Sequence, residues 1–344
     1  GGVVGLNEGR ITDCTLSGSM GSATQDYIGG IAGLNVGGST AGTIENCTAG
    51  KNCTVTGRST VGGIVGFNLS GGRVQNCTDS ANVSGTGRVG GIAGENGGEI
   101  VLSGAKAGAR RVTGTGSGVG GVIGVNTETG TLRAADSGAQ GDVIAADSGL
   151  TVRGGSKVGG IAGINRGTLG GTSGSCLTSQ AASVRAESGL AGGIAGAQEG
   201  AAACLRFAKN LGRVTANTGA AGGIVGISSA GSTVKNCYGD GSVASSDGYA
   251  GGIAGENLGS IQDCAVGSGG AAVTLTTRSR TAAGAVCAVN HKGGTVTGAQ
   301  LGGRITISGS AFILGAVVGD NSGTVADAEV TQQPEYDVSA GALQ

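Results

Sequence analysis

One seven-residue motif returns along this chain at the interval of a small structural unit, and any fold proposed for the chain must repeat with it. The segment GGIAGEN at Gly90–Asn96 has counterparts beginning at Gly1, Gly29, Gly62, Gly120, Gly159, Gly192, Gly222, Gly251, Gly284 and Gly315. These eleven copies are spaced by 28, 33, 28, 30, 39, 33, 30, 29, 33 and 31 residues. The first position is glycine in every copy. The third is always β-branched: Val3, Ile31, Ile64, Ile92, Val122, Ile161, Ile194, Ile224, Ile253, Val286 and Val317. The fifth is glycine except at Ala288. The seventh is Asn7, Asn35, Asn68, Asn96, Asn126, Asn165, Asn257, Asn290 or Asn321, replaced in two copies by Gln198 and Ser228. A fixed period of this size marks a chain that stacks one supersecondary unit on the next.

Two further segments share the period. One reads Ile11-Thr-Asp-Cys14, Ile44-Glu-Asn-Cys47, Val74-Gln-Asn-Cys77, Val234-Lys-Asn-Cys237 and Ile261-Gln-Asp-Cys264; the other is a short run around Val55, Val83, Val112, Val214 or Val243. Each unit therefore reads as about three short strands separated by Gly, Asn, Asp and Ser turns. A helix-length pattern is hinted at only weakly, around residues 180–191. The expected fold is all-β, a β-solenoid of about eleven coils of 28–39 residues, continuous over residues 1–330. Residues 331–344 read as a tail serving as a partial cap or a linker.

Composition agrees with this and excludes alternatives. Glycine supplies 79 of 344 residues, while aromatic residues make up 2% and proline occurs once. Large side chains are too few for a conventional core, and collagen would need a three-residue period with abundant proline. In a stacked coil, equivalent residues lie over one another. The third-position residues then form an inward aliphatic column, and the asparagines suit turns in which left-handed geometry and amide ladders are both favourable. The residues just before the motif and at its fourth position are also small or apolar, so a strand built on the motif is expected to be buried on both faces.

The pattern GG-[IV]-[AV]-G-x-N followed by x-[IV]-x-[ND]-C resembles the GLUG-motif repeats of large bacterial surface proteins, among them regions of some immunoglobulin A peptidases and wall-associated adhesins. The resemblance runs from Gly1 to about Val330 and is weakest between Thr127 and Gly212. It implies a secreted or cell-surface location, as the repeat region of a longer polypeptide. It brings no catalytic residues, and the zinc-binding HExxH pattern is absent from the sequence.

The candidate chemistry is sparse. Nine cysteines follow the coil period, with Cys14, Cys47 and Cys77 in one column and Cys237 and Cys264 later in the same column. They read as a buried thiol ladder, with disulfides as the alternative and Cys47–Cys53 the pair within one coil. His291, the only histidine, follows Cys287 by four residues, and an exposed loop position is expected for it rather than a Cys–His nucleophile. Asp136, Asp142 and Asp147 lie in the longest unit and read as a solvated loop, with calcium or sugar binding as the alternative. Gly85–Gly90 and Gly116–Gly121 match GxGxxG but lack the helix that would hold a phosphate. Basic residues such as Arg110 and Arg111 read as scattered, without interleaved aromatics. With a net charge of −1, nucleic acid is not an expected partner. No apolar run approaches a membrane span, and no catalytic, metal or cofactor site is read.

The expected function is a non-catalytic structural shaft or display repeat of a surface adhesin or extracellular fibre. A β-helix that binds or cleaves polysaccharide is the second reading. An ice- or surface-binding solenoid, suggested by Thr54/Thr56, Thr113/Thr115 and Thr274/Thr276, is the third. Because Gly1 begins inside a motif, the chain reads as a fragment. Expected partners are further repeats or copies of itself at open ends, and the doubly apolar strand leaves lateral association open. The sequence identifies no host or cell-surface ligand.

Overall fold

A computed structural model of the chain describes residues 1–38, 41–103, 111–135, 141–278, 281–310 and 313–338. The chain is a right-through stack of parallel coils, an all-β solenoid in which every coil bonds to the one before and the one after. Coil three shows the plan, with five strands: β1 Val65–Asn68, β2 Arg73–Gln75, β3 Thr78–Asp79, β4 Asn82–Gly85 and β5 Arg88–Gly90. Equivalent strands of successive coils form sheets. The β1 and β2 sheets have 11 strands each, the β4 and β5 sheets 10 each, and β3 forms a 3-stranded and a 7-stranded sheet. At ~4.8 Å per coil the rod is roughly 50 Å long. The backbone groups of each strand are satisfied by the neighbouring coils, so no large side chain is needed to close the structure.

The unit holds five strands rather than the three expected, because strands of two or three residues are too short to show an alternating pattern. The motif itself is not one strand. Its first glycine ends β5, its second and third residues turn a corner, and its fourth to seventh form β1. The β5 and β1 sheets then pack back to back through glycine. A Cβ on Gly62 would sit 2.0 Å from the Val65 carbonyl oxygen, and one on Gly66 would sit 2.6 Å from the Tyr27 carbonyl carbon in the preceding coil. Where the fifth position is Ala288, its methyl packs with Ala282, Val289 and Tyr249.

The aliphatic column faces inward as expected from Ile31 to Val286, each with 0% exposure. Val3 departs from it at 51% exposure, and Val317 is only half-buried, since end coils have a neighbour on one side only. The middle residue of β2 (Ile44, Val74, Ile100) and the inner residue of β4 (Val55, Val83, Val112) complete one continuous core.

The asparagine column forms the expected ladder. The Asn7 Nδ2 donates to Asn35 Oδ1 at 2.7 Å, and the chain of bonds continues through Asn68, Asn96, Asn126 and Asn165 to the Gln198 Oε1, each at 2.8 Å. A second run joins Asn257, Asn290 and Asn321. These asparagines are not left-handed, however. A recurring set of positive φ values falls instead at the residue before the column cysteine: Asp13 (57°), Asn46 (54°), Asn76 (52°), Asn236 (51°) and Asp263 (50°). The β2–β3 corner is therefore where left-handed backbone is required, which Asn and Asp adopt most readily, although Phe207 takes it in coil seven (47°).

Two boundaries differ from expectation. The segment around residues 180–191 contains the β4 strand Ser183–Ala186, with no helix. The stack also does not end at Val330, because Glu335–Val338 pairs with Ile305–Gly309 as a further β4 strand, register Ile307↔Tyr336. Pro334 precedes that strand, where its missing N–H costs no ladder bond.

Candidate functional site

The cysteines offer the densest set of reactive atoms, and their position is set by the corner that precedes them. With the Asn or Asp in the left-handed conformation, the next side chain turns into the core. Cys47, Cys77, Cys237 and Cys264 are buried there and Cys14 is half-buried. Each thiol donates to the carbonyl two residues earlier, as Cys47 does to Glu45 and Cys237 to Lys235, both at 3.2 Å. All nine cysteines are free thiols. Cys53 lies in another column, with its Sγ on the Leu16 carbonyl at 3.3 Å, so the structure does not join it to Cys47.

The column's other members explain the role of the thiols. Through coils five to seven the same place is taken by Val143, Leu177 and Ala208, and Ala299 occupies it in coil ten. A position that accepts Val, Leu or Ala treats cysteine as a small hydrophobe. Burial holds the Cys237 and Cys287 thiols well above the usual range. Cys176, half-exposed and beside Asp142, is pushed up to about 11, mainly by burial.

Cys287 and His291 do not meet. Cys287 points into the core, with its thiol on the Val289 carbonyl at 3.2 Å. His291 lies outside, its Nε2 2.9 Å from Glu256 Oε2 of the preceding coil. The loop histidine expected from sequence therefore has a carboxylate partner. Asp142 accepts from the Cys176 amide at 3.1 Å and Asp147 from the Gly149 amide at 2.9 Å. Asp142 thus ties two coils together and Asp147 closes its own turn, and Asp136 lies outside the described residues, as does Arg110. Among the described residues no three His, Cys, Asp or Glu side chains converge as metal ligands. Both GxGxxG segments span the β4–β5 corner and lead into strands. The threonine rows fall on the β4 sheet, but Thr54/Thr56 and Thr274/Thr276 lie seven coils apart, and Arg111, Arg153 and Arg185 face outward between them. A flat threonine array does not form.

Sequence reading missed one inward column entirely. The second residue of β3 points at the second glycine of the motif, and a Cβ on Gly63 would lie 2.3 Å from the Asp79 carboxyl. This position is Leu16, Ala49, Val266 or Leu301 in several coils, but Asp79, Ser179 or Asn210 in others. Asp79 is fully buried. One of its oxygens accepts from the Ala81 amide at 3.1 Å, while Oδ2 has no partner, and neither has the Ser179 hydroxyl. Desolvation raises the Asp79 carboxyl well above the usual carboxylate range. Aligning the β3 strands would have exposed the column, but at two residues per strand they carry no periodic signal of their own.

Comparison with family models, with curated proteins and with solved structures finds no match to the chain. No helix among the described residues is long and apolar enough to cross a membrane.

Proposed function

We propose that the chain is a non-catalytic structural shaft, a repeat segment that spaces or displays other parts of a secreted or surface-anchored bacterial polypeptide such as an adhesin or extracellular fibre. The observation that carries this reading is the continuity of the stack. Two sheets run through all 11 coils without a break in register, and one hydrophobic cluster extends from Ile11 to Ile307. Insertions such as the 39-residue unit leave that backbone ladder intact. Such a body transmits position along its axis, which is what a shaft requires. The resemblance of the motif to GLUG repeats supports the surface location. The test is antibody labelling of intact cells of the organism that encodes the chain. Labelling of unlysed cells along extended appendages is the expected result. Antigen found only after lysis would overturn the surface reading.

A further inference from the structure

Over coils four to six, where β4 turns into β5, the outer surface is hollowed into a groove of about 620 Å³. Its wall carries Arg111 and Arg153 from β4, together with Glu187 and Ser188 from the corner of coil six. Between them it is lined by Gly114, Gly154 and Gly155 together with threonines. A Cβ on Gly155 would lie 2.2 Å from the Thr115 carbonyl oxygen, so a side chain cannot fill the hollow at that point. The basic residues read as scattered in the sequence are thus partly ordered, since Thr113, Arg153 and Arg185 occupy one outward column in successive coils.

The charges in the groove do not cancel. Glu187 accepts from Arg153 at 2.6 Å, from Arg185 at 3.1 Å and from the Asn217 amide at 2.7 Å. Although partial burial works against its ionisation, the two arginines hold its carboxyl below the usual range. Arg111 has no hydrogen-bond or ion-pair partner among the described residues. Of the charges that line the groove, two guanidinium groups against one carboxylate leave one positive charge, and Arg185, which bonds the same carboxylate, adds a second beside it. Beside them the Thr113 Oγ1 is buried in the groove wall without a hydrogen-bond partner.

We propose that this groove binds an anionic glycan, a chain of carboxylated or sulfated sugars. Guanidinium forks recognise oxyanions, and hydroxyl and backbone groups complement sugar hydroxyls. Arginines repeated at the coil step of ~4.8 Å suit a polymer with regularly placed charges, which engages several of them at once. No aromatic side chain lines the groove, and stacked bases would require one. This site is independent of the shaft reading, since a shaft needs no ligand on its side.

Titration calorimetry on the whole chain tests the proposal, using a galacturonic acid hexasaccharide, a sulfated glycosaminoglycan hexasaccharide, a neutral glucose hexasaccharide, a thymidine hexanucleotide and free sulfate. At least one anionic hexasaccharide is expected to bind, with affinity falling as salt rises, while the neutral sugar does not. The double variant Arg111→Gln/Arg153→Gln should bind about tenfold more weakly or worse. Its melting temperature should be unchanged, because Glu187 keeps Arg185 and Asn217. Thr113→Val should lose a smaller factor. Absence of binding by both anionic sugars at low salt, or an unaltered affinity in the double variant, overturns the site. Equal binding of the hexanucleotide or of free sulfate replaces it with a general polyanion or small-anion surface and likewise overturns the glycan assignment.

Discussion

At the end of β1 the coils bury a column of asparagines, and on β3 they bury a column that is apolar in most coils but polar at Asp79, Ser179 and Asn210. Inside the stack both columns are enclosed, yet their polar groups have different fates. Each ladder amide receives its partner from the next coil, and its Nδ2 also reaches a carbonyl at the start of β2, as Asn126 does to Gly130 at 3.0 Å. On β3, Asp79 stands alone among apolar neighbours, and Ser179 and Asn210 lie in register in successive coils without bonding to each other. Asn210 closes a local turn with Gly212, but the Asp79 Oδ2 and Ser179 Oγ bond to nothing. Burial of a polar group is inexpensive in a solenoid when the group repeats in register, because the stack supplies the partner. The same group present in one coil alone carries its full desolvation cost.

The largest effect should come from placing an isolated charge where the apolar column is most enclosed. Ile161→Asp is expected to lose about 4–5 kcal/mol or more, with collapse of cooperative melting, whereas Val317→Asp in the half-buried end coil should be far milder. Equal effects at the two positions would break the account of the column. Next, Asn126→Leu removes an internal rung. It takes one acceptor from the Asn96 Nδ2 and leaves the buried Asn165 Oδ1 without its donor, at a cost of about 2–4 kcal/mol by chemical denaturation. A loss below ~1 kcal/mol would show that register supplies less than the comparison claims.

The third change runs in the opposite direction. Asp79→Ala copies Ala49 from the coil below and should stabilise the protein by about 1–3 kcal/mol at neutral pH. Because the folded carboxyl is raised, the parent's stability is fully present below the unfolded value of about 4. It declines as pH rises from there toward the folded value, since the unfolded chain ionises first. The gain from Asp79→Ala should therefore shrink as pH falls toward about 4, which melting curves across that range will show. A pH-independent gain would mean that Asp79 is ionised in the fold. The smallest effect belongs to Ser228→Asn. Ser228 pairs with Ser232 at 2.9 Å and interrupts the ladder between Gln198 and Asn257. Restoring the rung should add about 0.5–1 kcal/mol, and a destabilised variant would show that the hydroxyl pair is the better local solution.

Much of this architecture is legible without coordinates because a repeat converts sequence columns into spatial columns. Ile64, Ile92 and Val122 could be placed over one another, and Asn68 over Asn96, by counting alone. What could not be read is the path of the chain within a coil. The corner at Gly63-Ile64 looks like the interior of a strand, and two-residue strands such as Thr78–Asp79 show no alternation. The sequence suggests left-handed geometry for the ladder asparagines, while the backbone places it at Asn46 and Asn76, since both columns offer the same residue type. Pairing across coils was equally hidden. Glu256 lies 35 residues before His291, and the groove arginines align only once the register of β4 is known.

The parallel, in-register stacking has a mechanical consequence. A pull on one end of the chain peels the outermost coil first, because that coil is held by one neighbour whereas inner coils are held by two. The rod should pay out like rope from a reel, one turn at a time, at nearly constant force. With coils of 28–39 residues, each release lengthens the tether by roughly 90–140 Å. A tether of this kind dissipates work over many small steps and keeps its remaining turns intact after each one.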